Sequence, residues 1–226
     1  MKDLELMFFK CCEENNLEKV QACLTLEVDV NTVDDHGLTA AFRAAKKGRT
    51  EVVRMLAATG KVDWKNGNHF LTPLHVALEH GHSDVVGIIV KQANINFNLK
   101  SPLGTTVALS AVRGKSVRCV EILAEQENCD CWNIPDICGV TPLMLALAID
   151  SIVRKKDILQ VLLNCPRVDP NHKDQHGNSP LMVAIKRKET SMARLLIQCP
   201  RVDLGIKNRN GSSIQRIARL EETRLM

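Results

Sequence analysis

The chain has 226 residues, a formal net charge of +4 and 45% hydrophobic residues, with aromatics at only 3% and no tyrosine. So mild a positive charge does not by itself indicate a nucleic-acid binder, and no apolar run approaches the roughly 18–20 residues that span a bilayer. The start, Met1-Lys2-Asp3-Leu4-Glu5, carries acids and lacks a signal-like apolar block. Together with nine cysteines, an odd number, this predicts a soluble intracellular chain, cytoplasmic or nuclear, with reduced thiols.

Residues 4–27 hold two helical patterns separated by Glu13-Glu14-Asn15-Asn16. The first contains Leu4, Leu6, Met7, Phe8, Cys11 and Cys12, and the second Leu17, Val20, Cys23, Leu24 and Leu26. A different unit then begins and recurs along the chain, most clearly in Asp136-Ile137-Cys138-Gly139-Val140-Thr141-Pro142-Leu143 and Asp174-Gln175-His176-Gly177-Asn178-Ser179-Pro180-Leu181. Each reads as a tight turn and a helix start. Gly supplies a positive φ at little steric cost, the hydroxyl caps free N–H groups, and Pro fits the first helical position. The capping residues are Thr39, Thr72, Thr106, Thr141, Ser179 and Ser213, spaced by 33, 34, 35, 38 and 34 residues. Five positions after each lies an alanine: Ala44, Ala77, Ala111, Ala146, Ala184 and Ala218. A break and a second apolar run follow, then Asp or Asn and often a further Asn, as in Asp29-Val30-Asn31 and Asp169-Pro170-Asn171.

The unit resembles the ankyrin repeat, a turn plus two antiparallel helices at a period near 33. Thr72-Pro73-Leu74-His75-Val76-Ala77, followed by Glu79-His80-Gly81-His82, carries the likeness most closely, and it extends over almost the whole chain. The resemblance implies an all-α solenoid of stacked helix-turn-helix units with finger loops, forming one domain whose core lies between neighbours. The expected division is an N-terminal capping helix pair over 1–33 with a more polar outer face, then five repeats. These run over 34–66, 67–100, 101–135, 136–173 and 174–207, with a half-built repeat over 208–226 that suits one domain of a longer protein.

Several units depart from the pattern. The third is one residue short before Thr72, has Phe70 where Gly is expected, and offers Asn66-Gly67 as another turn signal. A shortened finger is expected, with either Phe70 or Leu71 projecting as an apolar tip or Phe70 folding back on a neighbouring finger. The fifth has four extra residues within 149–156, about one helical turn, which predicts a longer first helix or following loop. The sixth has Lys186-Arg187-Lys188 where a Gly usually ends the helix.

No Gly-rich phosphate loop, G-x-S-x-G elbow or H-E-x-x-H occurs, so no enzyme is expected. Cys129, Cys131 and Cys138 lie close together, but no C-x-x-C pair or nearby His completes a zinc set. No metal or cofactor is expected, and these thiols read as small semi-buried loop residues. His75 reads as structural, and His80 and His82 as solvated residues flanking Gly81. Trp64 and Trp132 align with Val30, Phe97, Pro170 and Leu204 as an apolar column between fingers.

The resemblance implies a monomeric, non-enzymatic module that binds a peptide or protein domain through finger tips and inner helices. The tip candidates are His36, Leu38, His69, Phe70, Leu71, Leu103, Ile137, Val140 and His176; the inner-helix slot holds Arg43, Val76, Ser110, Leu145 and Val183. A second reading is the targeting or regulatory domain of a larger enzyme of ligase or kinase type. A third uses a basic ridge along the helix–helix breaks: Lys46, Lys47, Arg49, Arg113, Lys115, Arg118, Arg154, Lys155, Lys156, Lys186, Arg187 and Lys188. Such a ridge would suit an acidic segment, a phosphate-bearing ligand or, least well, nucleic acid. Cations also favour helix C-termini for electrostatic reasons alone.

Overall fold

The computed structural model describes residues 2–65, 71–93 and 95–223. The described residues form α-helices and one 3-10 turn at Cys131–Asn133, with no strand among them. A first pair, α1 (Lys2–Glu14) and α2 (Leu17–Thr25), precedes five further pairs. These are α3 (Ala40–Lys46) with α4 (Thr50–Ala58), α5 (Pro73–Glu79) with α6 (Ser83–Ile89), and α7 (Val107–Arg113) with α8 (Val117–Ala124). Next come α9 (Pro142–Ala146) with α10 (Ile152–Asn164), and α11 (Pro180–Lys186) with α12 (Thr190–Gln198); α13 (Ile214–Thr223) follows singly. The odd-numbered helices touch in order along an inner row, and α2 to α12 touch in order along an outer row.

Each inner helix from α3 starts as the sequence implies. The hydroxyl oxygens of Thr39, Thr72, Thr106, Thr141, Ser179 and Ser213 each accept a backbone N–H three residues on, at 3.1–3.5 Å. Ala44, Ala77, Ala111, Ala146 and Ala184 are fully buried where the inner helices close on one another. Before Thr39, Thr141 and Ser179 the chain makes an Asx turn. One Asp34 oxygen accepts from His36 and Leu38, and Asp136 and Asp174 repeat this with Cys138 and Val140, and with His176 and Asn178.

An asparagine ladder ties successive fingers together. The Asn31 amide donates to the Lys61 carbonyl, and its oxygen accepts from the Asp63 N–H. Asn98, Asn133 and Asn171 make the same two bonds to the next finger. Lys65 occupies that slot in the third unit and, having no side-chain acceptor, cannot make the second of these bonds. Val30, Trp64, Phe97, Trp132 and Pro170 form the expected apolar column and are buried; Leu204, at its end, is exposed.

The structure corrects the sequence reading at several points. Phe8, Phe9, Cys11 and Cys12 of α1 face the stack, but Leu6, Met7 and Leu17 project outward, so the outer face of the first pair is not polar throughout. The four extra residues of the fifth unit do not lengthen α9, which has only five residues, although the loop after it, 147–151, has five residues against three in the other repeats. The added residues extend α10, at 13 residues against seven to nine in the other outer helices. Apolar Ile158, Leu159 and Leu162 must hold their depth in the core, so the added turn can only grow from the exposed end. Lys188 takes the left-handed conformation that Gly37, Gly48 or Gly81 provides elsewhere, as does Lys115 one residue after Gly114. The Asn66-Gly67 turn, and the finger carrying His69 and Phe70, lie outside the described residues.

Candidate functional site

The finger tips and the inner row form the surfaces that repetition places side by side. At the tips, hydrogen bonds run between consecutive fingers. The Ile137 N–H donates to the Leu103 carbonyl at 3.4 Å, the Gln175 side-chain amide to the Ile137 carbonyl at 3.0 Å, and the Arg209 N–H to the His176 carbonyl at 3.2 Å. These bonds hold Leu103 and Ile137 side by side at 64% and 63% exposure. His36 and His176 are exposed at their tips, while Leu38, Leu71 and Val140 are half-buried between fingers.

The inner-helix slot offers less than its sequence suggests. Val76 and Ser110 are buried by the chain's own side chains and present no surface. Leu145 and Val183 are half-buried. Arg43 is clamped between Asp34 and Glu13, linking α3 to α1. Hydrogen bonding from Arg43 is the main force holding the Glu13 carboxyl below its ordinary value. Burial works against the charge on Asp34, yet the Leu38 N–H, Arg43 and the His36 N–H together hold its carboxyl low as well.

Most of the basic ridge is engaged within the chain. Lys47 pairs with Glu13 and Lys115 with Asp150, both at 3.6 Å, Arg113 with Asp136 at 3.8 Å, and Arg118 with Glu121 at 3.1 Å. The Arg49 side chain donates to the Glu13 carbonyl, and Lys186 to the Asn178 amide oxygen. Lys155 does not belong to the ridge: it is buried and ion-paired with Glu189 at the start of α12. Lys46, Arg154, Lys156, Arg187 and Lys188 remain exposed, without an acidic partner among the described residues.

Histidine and cysteine side chains sit in structural surroundings. His75 is buried and closes a capping box, its Nδ1 meeting the Thr72 N–H at 3.3 Å and hydroxyl at 2.9 Å. Burial drives its pKa down from 6.5 to about 4, against the opposing pull of the Leu99 and Thr105 carbonyls. The ring is therefore neutral at pH 7. Because the unfolded chain binds the proton first, stability is expected to fall as pH drops from about 6.5 and to level off near 4. A histidine side-chain NMR titration checks this: one imidazole resonance should stay unmoved until the pH approaches 4. His82 is not simply solvated; its Nε2 meets the Lys46 carbonyl at 3.1 Å and its ring stacks on His80. Cys129 and Cys131 are fully buried, with their sulfurs 3.5 Å apart, whereas Cys138 is exposed. No group of three or more His, Cys, Asp or Glu gathers with metal-binding geometry among the described residues.

One repeated pattern has a structural role that its spacing alone does not reveal. Cys-Pro-Arg-Val-Asp occurs at 165–169 and 199–203. In the second copy, the Arg201 guanidinium reaches the carbonyls of Leu163, Cys165, Pro166 and Val168 at the end of α10. Arg167 likewise donates to the Ala124 carbonyl at the end of α8. Each arginine caps the outer helix of the preceding pair, which only the stacking brings within reach.

The comparisons agree with this geometry. Family models described as ankyrin repeats match residues 8–101 and 161–218. YahD of Escherichia coli K12, named as an ankyrin repeat protein, is 27% identical over 198 residues, covering 86% of this chain and 96% of that protein. Human transient receptor potential cation channel subfamily A member 1 is 22% identical over 79% of this chain, which spans only 16% of the channel's length. Among solved structures, the ankyrin repeat domain of Bcl-3 superposes with a TM-score of 0.81 at 20% identity, covering 96% of this chain and 97% of that one. A chain from the complex of the Bdellovibrio bacteriovorus endopeptidase Bd0816 with immunity protein Bd3460 gives 0.68 at 21% identity, covering 85% and 97%. With cap, inner alanine and outer helix recurring in register, and with family matches at both ends, the chain belongs to the ankyrin repeat family, whose domains generally serve as protein–protein interaction modules.

Proposed function

We propose that this chain is a non-enzymatic binding module for a protein or peptide, engaged chiefly through its finger tips. The observation that carries the reading is the exposed apolar pair Leu103 and Ile137, held side by side by a backbone bond between two fingers. Fingers tied together in this way are preorganised, so a partner would order little on binding. The half-buried Leu145 and Val183 on the inner row extend the surface, and His36 and His176 add hydrogen-bonding tips. The proposed form is a monomer inside the cell; nine unbonded thiols suit a reducing compartment.

A second reading, a targeting domain within a longer protein, draws on the relatives of which this chain spans only a small part. The test is affinity purification with the tagged chain, followed by mass spectrometry and a binding measurement with the recovered partner. Leu103→Asp with Ile137→Asp should weaken binding by tenfold or more, as expected for a central apolar anchor worth about 2 kcal/mol. Circular dichroism should be unchanged. Unaltered affinity would remove the fingers from the interface. An attached catalytic domain in the full-length transcript would favour the second reading.

A further inference from the structure

The extra turn of α10 creates a feature that the repeat pattern does not require. Its first residues, Ile152 and Val153, are 67% and 69% exposed, although both are aliphatic. The turn carries them about 5 Å beyond the level at which the outer helices otherwise begin. Cations surround this corner. Arg154 and Lys156 lie on the same turn, and Arg187 and Lys188 on the adjoining edge, which the Lys155–Glu189 pair ties to α10. None of these four has an acidic partner among the described residues. The acids nearby are Asp150, engaged by Lys115; Glu189, engaged by Lys155; and Asp157, half-buried on α10 itself.

We infer that this corner docks on an anionic membrane surface. Ile152 and Val153 would enter the boundary between headgroups and acyl chains, and the four unpaired cations would meet the lipid phosphates and carboxylates. The shape selects this partner. A peptide needs a groove to cover its backbone and side chains, but this corner projects. Nucleic acid would use the cations and leave the aliphatic pair in water. A bilayer uses both, since shallow apolar insertion and attraction to acidic lipids add. The contribution is modest: each cation near such a surface is worth roughly a fivefold change in binding, and salt weakens it. Membrane attachment here would be reversible and independent of the finger tips, which lie at the opposite end of the helix pairs.

The test is co-sedimentation of the full chain with phosphatidylcholine vesicles carrying roughly a third phosphatidylserine, an anionic-leaflet mimic. Binding to these vesicles, with about tenfold less on pure phosphatidylcholine, is the expected result. Ile152→Ser with Val153→Ser should lower it several-fold at constant charge. Arg154→Glu with Lys156→Glu should abolish it. Leu103→Asp with Ile137→Asp should leave it unchanged, which separates this surface from the proposed protein-binding one. Circular dichroism on each variant confirms that the fold is retained, as the exposure of all six positions implies. The inference is overturned if the wild-type chain does not sediment with the anionic vesicles. It is equally overturned if the serine variant binds them as well as wild type does, or if an acidic peptide or an RNA oligonucleotide competes fully for the wild-type chain while the serine pair has no effect on that competition.

Discussion

Replacing Gly114 by valine is expected to split the solenoid into two separately melting parts. Gly114 has an ordinary helical φ, so its role is space rather than conformation. A Cβ built there would lie 2.0 Å from the Leu78 carbonyl oxygen and 3.1 Å from the Glu79 carbonyl. The obstacle is backbone at the end of α5, which cannot rotate aside. Relief requires α5 and α7 to separate, at the contact where the third unit meets the fourth. Overpacking against an unyielding neighbour costs upwards of about 3 kcal/mol. In a stack stabilised by nearest-neighbour interfaces, that loss uncouples the two sides. Urea denaturation followed by circular dichroism should show a lower first midpoint and a broadened or biphasic transition. Gly87→Ala is the companion variant. Gly87 lies within α6 with open space around it, so alanine should raise stability by about 0.5–1 kcal/mol through helix propensity. A single, unshifted transition for Gly114→Val would mean that the α5–α7 contact is looser than the structure shows.

The second large effect is an asymmetry within the Lys155–Glu189 pair. The Lys155 side chain is almost completely buried, whereas that of Glu189 keeps about a quarter of its exposure, 24%. Glu189→Ala strands an ammonium inside the protein and should cost about 3–5 kcal/mol. Lys155→Met leaves a carboxylate that can turn to water, and it fills the vacated volume with an apolar chain, so it should cost about 1 kcal/mol or less. The loss at Glu189 cannot be attributed to capping, because its side chain makes no cap bond to α12. The double variant Lys155→Met/Glu189→Leu should recover most of the stability lost in Glu189→Ala. Thermal melts of all three variants measure this. Equal, small losses for both single variants would mean that Lys155 swings into solvent and that the pair is a surface one.

The fold is legible in the sequence because its signals are local. A hydroxyl capping an N–H three residues on, or a carboxylate closing a turn of four, is set by the chain's immediate neighbours. Thr39, Asp136 and Ser179 declare their roles in any context that permits a helix start. Ala146 and Ala184 could be read because they recur in register, and a recurring small residue has one steric explanation, close approach.

Tertiary structure decided what lies 33 or more residues away. Val76 and Ser110 share a slot with Leu145, but whether that slot is open depends on the side chains which the units on either side place over it. Lys155 reads as one more ridge cation until stacking brings Glu189 against it. Arg201 has no local acceptor; its carbonyls belong to the end of α10, within reach only once two outer helices lie side by side. The extra turn of α10 follows the same logic, since the apolar residues behind it are held at fixed depth and the surplus must emerge at the exposed end. Sequence alone therefore determined the repeated unit and the order of stacking, through short-range hydrogen bonding and steric repetition. Which side chains remain available to a partner was decided by packing between units, because exposure and charge pairing belong to neighbours in space rather than in the chain.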